Sequence, residues 1–136
     1  MELPEHLWRF PTAEAIDSLA YRFNLPNRSY MQDWEWEVGD PQRIDEFLAA
    51  YSEDLTDDEK FTLMETILQS FEDLDEPLEK DSRWYKVLTI LDQNIGLHLN
   101  SVYYWSALDS EYEDEQWRVT PFLRPILEKH RAEFTS

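Results

Sequence analysis

Apolar residues recur along most of the chain at intervals of three and four, which is the period of an amphipathic helix. The first such segment spans 13–24, with Thr12 placed to cap its start and Pro26 following its end. Its apolar positions are Ile16, Leu19, Ala20 and Phe23. The spacing predicts a first helix over 13–24.

Two further helices begin with strong capping signals. Asp40 followed by Pro41 is a favourable start, since aspartate caps a helix and proline suits its first position. The apolar face of this second helix consists of Ile44, Phe47, Leu48 and Tyr51. Thr56 and Glu59 match the capping box, in which each side chain bonds the other residue's backbone N–H. We expect the third helix, which follows, to reach about Leu74.

The second half of the chain continues the helical period, with one ambiguous stretch. Ser82 is predicted to cap a fourth helix, and Thr120 with Pro121 to open the last one. Residues 97–108 fit the two-residue period of a strand as well as the period of a continued helix. We favour helix there, because the neighbouring segments are helical and no partner strand is evident.

One segment departs from the helical period. Residues 30–38 partly alternate aromatic with acidic side chains, which is typical of a short irregular strand or of an ordered loop. Only two glycines occur in 136 residues, too few for the many tight turns of a β-sandwich or barrel. The whole pattern predicts an all-α fold, a single compact bundle of five to six helices forming one domain over 1–136.

Acidic residues are concentrated in two blocks. The chain holds 30 acidic and 12 basic residues, a formal net charge of −18. Residues 35–81 carry 17 acids against three bases, and 109–115 carry five acids without a base. Such a surface favours a basic protein partner, whereas nucleic acid and anionic membranes would repel it.

The sequence carries no motif for catalysis or metal binding. There is no cysteine, no HExxH pair and no glycine-rich phosphate loop. An EF-hand loop started at Asp109 would need glycine where Asp114 stands and glutamate where Thr120 stands. We therefore expect a protein that is not an enzyme and has no metal or cofactor. A site of buried paired carboxylates is the alternative that 30 acids leave open.

The first residues of the chain carry two acids and show neither the basic nor the apolar region of a signal peptide. No apolar run approaches the length of a transmembrane helix. Both observations favour a cytoplasmic protein that does not enter a membrane.

Acidic and aromatic residues are predicted to contact the partner. The acids belong to the run at 109–115 and to the polar face of the third helix, and the aromatics are included because they dominate interface hot spots. These residues are Asp109, Glu111, Tyr112, Glu113, Asp114, Glu115, Asp58, Glu65, Glu72, Trp34 and Trp36. The alternatives are a core position for the tryptophans, and a charge that serves solubility alone.

Part of the sequence resembles a known class of proteins. The segments are Phe61-x-Leu63-Met64-Glu65-x-Ile67-Leu68-x-Ser70, Trp84-x-x-Val87-x-x-Ile90-Leu91-x-x-Asn94, Leu97-His98, Tyr104-Trp105 and Thr120-Pro121-Phe122-Leu123-Arg124. Over the last two-thirds of the chain, this pattern resembles small acidic immunity-type proteins encoded beside bacterial contact-dependent or polymorphic toxins. The resemblance implies a cytoplasmic inhibitor that binds one cognate toxin and blocks its active site, and it marks no binding residue. An acidic DNA mimic or adaptor that binds a nucleic-acid-binding partner is the alternative.

Overall fold

The computed structural model describes residues 2–108 and 116–133, and these residues form helices and no strand. The helices are, in order, α1 (Ala13–Phe23), α2 (Trp34–Glu37), α3 (Ile44–Tyr51), α4 (Asp57–Glu72), α5 (Ser82–Gln93), α6 (Ile95–Trp105) and α7 (Thr120–His130). The predicted all-α fold is confirmed. The described part of the chain holds one helix more than the upper count expected, and the addition is α2.

The capping residues predicted for the first half of the chain act as caps. The Thr12 hydroxyl accepts from the Ala15 N–H at 3.1 Å, at the start of α1. Both bonds of the capping box are present at the start of α4, between Thr56 and Glu59. Asp40 likewise caps, although Pro41–Arg43 first make a 3₁₀ turn before α3 begins. These bonds join residues two or three positions apart, which is why the sequence alone indicated them.

Three details differ from the sequence-based expectation or decide between its alternatives. Residues 34–37 form one helical turn rather than a strand or a loop, and the Trp34 indole donates to the Pro26 carbonyl at 2.7 Å. Asp81, not Ser82, caps α5, since its carboxylate accepts from the Arg83 N–H. The ambiguous segment is helical, as favoured, but α6 is separate from α5 and the break lies at Asn94.

The chain divides into two compact units, one of residues 10–74 and one of residues 1–9 with 75–136. We call them the 10–74 unit and the split unit. The prediction of a single domain over 1–136 stays a prediction.

Helix α4 lies at the centre of the 10–74 unit, where α1, α2 and α3 all pack against it. Ten of its 16 residues are buried, so side chains on nearly every face of α4 are covered. The rings of Phe23 and Phe47 meet edge to face, with centroids 5.1 Å apart, beside this core. A helix buried around its whole circumference has no broad polar face, whatever its sequence pattern indicates.

The split unit is built on α5, α6 and α7. Trp84 and Trp105 are 0% and 1% exposed, as the periodicity predicted. Removing such rings costs about 3–5 kcal/mol in a packed core. The ring of Trp117 lies 4.8 Å from that of Trp105, and the Thr120 hydroxyl donates to the Trp105 carbonyl at 2.8 Å. These contacts pack the start of α7 against the end of α6.

Candidate partner-binding surface

The acidic charge is concentrated in the 10–74 unit. This unit contains 16 acidic and four basic residues and no histidine, a formal net charge of −12 out of the −18 of the whole chain. Its acids fall mostly on exposed positions, because α4 and the apolar faces of α1 and α3 form the core. A surface of this charge attracts cations and basic proteins over about a Debye length.

Part of this charge surrounds a groove between the first turns of α1 and α4. The groove has a volume of about 410 Å³. Its lining residues are Thr12, Glu14, Ala15, Ser18, Thr56, Asp58 and Glu59. Three of them are acids and none is basic, so the groove suits a positively charged side chain better than a neutral one.

Hydrogen bonds hold the Glu59 carboxylate in this groove. One oxygen accepts from the Ser18 hydroxyl at 2.6 Å, and the other accepts from the Thr56 N–H at 3.0 Å. The Ser18 bond is the largest cause that lowers the pKa of Glu59 below its usual value. Glu59 is therefore ionised at neutral pH, and its position joins α1 to α4.

Further contacts extend the acidic surface along α1. Asn27 donates to the Asp17 carboxylate at 2.6 Å, and Arg22 pairs with Glu53. We call the resulting surface the α1 acidic face, and define it as Glu14, Asp17, Tyr21, Arg22, Glu53, Asp58 and Glu59. Its five carboxylates and one guanidinium sum to −4. The first turns of α1 and α4 contribute about +0.5 each through the helix dipole, so the face remains strongly negative.

Tyr21 is the most exposed large apolar side chain of the described residues, at 91%. It lies one helical turn after Asp17 on α1, so these two side chains are neighbours on the helix surface. A tyrosine ring surrounded by charged groups is a common anchor in protein interfaces, because it offers contact area at little entropic cost.

The structure brings only one of the predicted α4 acids to this surface. Asp58 lines the groove, whereas Glu72 lies at the other end of α4, about 21 Å along the helix axis. Glu65 is buried, at 4% exposure, although the sequence placed it on a polar face with the other two. The reason is tertiary: α2 packs on α4 at this level, where the Thr66 hydroxyl donates to the Glu35 carbonyl.

The predicted tryptophans are largely core residues. Trp34 is 2% exposed and its indole is bonded to the Pro26 carbonyl, so it presents no surface to a partner. Trp36 is half-buried. Between them, Glu35 is buried, and desolvation raises the pKa of its carboxyl. The charges of Asp33 and Glu37 raise this pKa further, by smaller amounts. Helix α2 therefore contributes packing more than binding surface.

The acidic run that we predict to bind the partner lies outside the described residues. Its predicted contact residues are Asp109, Glu111, Tyr112, Glu113, Asp114 and Glu115. Arg124 bonds the backbone of two residues that precede Leu108 and the run. Arg124 donates to the Ser106 carbonyl at 2.8 Å and to the Ala107 carbonyl at 2.9 Å. Ala107 itself has a left-handed φ of 48°. The prediction for the acidic run stays a prediction.

Sequence reasoning missed Glu14, Asp17 and Tyr21, although a usable signal was present. These three residues lie opposite the apolar face of the first helix, and that face was identified correctly. The contribution of Glu53 and Glu59 had no such signal, because only tertiary packing brings them beside α1, where Glu53 pairs with Arg22 and Glu59 accepts from Ser18.

Two further observations bear on the chemistry of the described residues. No group of three or more histidine, aspartate and glutamate side chains is arranged to hold a metal ion in this part of the chain. Nor does any helix in the described ranges have the length and apolar character needed to cross a membrane.

Comparison of the chain with protein-family models, with curated proteins and with solved structures finds no match.

Proposed function

We propose that the protein is an inhibitor of the immunity type, which binds a basic toxin domain in the bacterial cytoplasm and blocks it. The observation that carries the proposal is the α1 acidic face, which combines five carboxylates with the almost fully exposed Tyr21. The resemblance of the sequence to small acidic immunity-type proteins agrees with this choice.

The charge of the target's active site is the physical basis of this proposal. An enzyme that acts on nucleic acid presents a basic groove, since it must neutralise phosphates. An acidic protein surface can occupy such a groove in place of the substrate, and charge attraction speeds its association by about 10–10³-fold at low salt. Tyr21 would supply the apolar contact that slows dissociation.

The first partner to test is the product of the gene next to the one that encodes this chain. We expect that product to be toxic when expressed alone, and co-expression of this chain to restore growth. We also expect a complex in solution whose association rate falls steeply between about 50 and 200 mM salt. Absence of both rescue and complex would contradict the proposal, and a salt-independent association rate would remove its electrostatic basis.

A charge-matched pair of variants tests where the partner binds. The first variant neutralises three acids of the α1 acidic face through Glu14→Gln, Asp17→Asn and Asp58→Asn. We expect its association rate to fall by about 10-fold at low salt, because three attractive charges are lost from the contact area.

The control variant removes the same charge from exposed positions of the split unit, through Glu2→Gln, Glu5→Gln and Glu79→Gln. It keeps the net charge equal to that of the first variant, so it separates local contact from overall charge. We expect a change of less than about 2-fold in its association rate. Equal effects of the two variants would mean that the α1 acidic face is not the contact.

A further inference from the structure

His130 stands between two carboxylates at the end of α7. Its Nε2 lies 2.6 Å from Asp92 Oδ1, on the last turn of α5, and its Nδ1 contacts Glu133 Oε2 in the following 3₁₀ turn. The histidine side chain is only 13% exposed. Asp92 and His130 are 38 residues apart in sequence, so this contact ties the end of α7 to α5.

The geometry selects one protonation state of the ring. A neutral imidazole has one N–H donor and one acceptor, whereas a carboxylate accepts only. Two carboxylates at the two ring nitrogens are therefore both satisfied only by the doubly protonated, positively charged ring. The bond to Asp92 is the largest cause that raises the pKa of His130 above 6.5, and the bond to Glu133 adds to it.

We propose that His130, Asp92 and Glu133 form a pH-dependent clamp that holds the end of α7 to α5 and opens when His130 loses a proton. The clamp is independent of the proposed inhibitory function. Because the two carboxylates lie at opposite nitrogens of one ring, they do not converge on a single point, and the arrangement does not suit a metal ion.

Other charged groups near the clamp limit how far it opens. Lys129 donates to the second Asp92 oxygen at 2.9 Å, and Arg131 pairs with Glu128 at 3.4 Å. Helix α6 also packs against α7, and its titratable groups are His98, Tyr103 and Tyr104. Since the bond between Lys129 and Asp92 does not involve the His130 ring, the opening is a loosening of the last turn of α7. The buried Leu123 and Leu127 keep the rest of the helix in place.

The pH range in which the clamp is closed follows from the directions in which the pKa values of His130 and Asp92 are shifted. His130 has a raised pKa, so its contribution is complete below the unfolded value near 6.5 and is lost as pH rises through the folded value. Asp92 has a lowered pKa, caused first by Lys129 and then by His130, so its contribution is lost only as pH falls below 3.8 through its own folded value. The clamp is therefore closed at mildly acidic pH, up to about 6.5, and opens as pH rises through the folded pKa of His130, which lies above that value.

Two measurements on the full chain test the clamp. An NMR titration of the ring protons gives the midpoint of His130, which we expect above that of a histidine in an unstructured peptide, about 6.5. Hydrogen-exchange protection factors of amides 127–131 should fall through the same midpoint. Asp92→Asn should move the midpoint down, because it removes the main partner of the cation.

His130→Gln should abolish the pH dependence of protection in 127–131, and His6→Gln, at an exposed position, should leave it unchanged. A His130 midpoint equal to that of the peptide histidine would overturn the clamp. Protection that does not change through the midpoint, or that changes equally in His130→Gln, would overturn it as well.

Discussion

The Thr66 hydroxyl bonds α2 to the central helix of the 10–74 unit. Thr66 is 2% exposed on α4, and its hydroxyl donates to the Glu35 carbonyl at 2.7 Å. Thr66→Val keeps the shape of the side chain and removes this donor. Because α2 is only four residues long, we expect the loss of this bond to lower the stability of the protein.

The magnitude follows from the burial of the bond. Losing a hydrogen bond and leaving a buried carbonyl without its donor costs about 1–3 kcal/mol, and we take about 2. The added methyl group of valine returns about 0.8 kcal/mol through burial. The free energy of unfolding should therefore fall by roughly 1–1.5 kcal/mol.

Thr62→Val is the matched control. Thr62 lies one turn earlier on α4 and is also buried, at 0% exposure. Its hydroxyl donates to the Asp58 carbonyl at 2.8 Å, within the same helix. That carbonyl keeps its ordinary helical N–H partner after the substitution, so we expect a change below about 0.5 kcal/mol.

Urea unfolding followed by tryptophan fluorescence measures both variants under the same conditions. We expect a lower midpoint for Thr66→Val, with an unchanged slope, and almost no shift for Thr62→Val. Equal losses of stability in the two variants would refute this expectation, since they would show that the contact with α2 contributes nothing beyond an intrahelical bond.

Three other substitutions have consequences that unfolding experiments can measure: two glycine substitutions with opposite effects on stability, and one whose effect depends on pH. Gly96→Ala should stabilise the protein by about 0.5–1 kcal/mol, because the new methyl meets nothing within 4 Å in α6. Gly39→Ala should instead destabilise it by about 1 kcal/mol, since its methyl would lie 2.8 Å from Gln69 Cγ, and a gain there would contradict the packing described. Glu35→Gln should gain stability relative to the wild type as pH rises, because the raised pKa of Glu35 makes its contribution complete below about 4.5 and lost through the folded value. A difference that stays constant between about pH 4 and 7 would show that Glu35 is not desolvated.

The predictions from sequence succeeded where the physics is local. Thr12, Asp40 and Thr56 act as caps because a side chain bonds a backbone N–H two or three residues away, which needs no other part of the fold. The apolar faces of α1 and α3 were likewise identified by their spacing. The cap of α5 was missed by one residue, because Asp81 and Ser82 are both good capping residues.

Tertiary packing decided the features that depend on which elements meet. The period of α4 placed Glu65 on a polar face, but the fold buries it next to the contact of Thr66 with α2, and no local pattern carries that information. In the same way, Glu59 reaches the acidic face only because α1 packs on α4, and His130 meets Asp92 only through the packing of α7 on α5. Most of the helices, the caps at Thr12, Asp40 and Thr56 and the amount of acid followed from the sequence alone. The tertiary structure decided which acids are exposed together, because contacts between distant residues depend on the whole arrangement of helices.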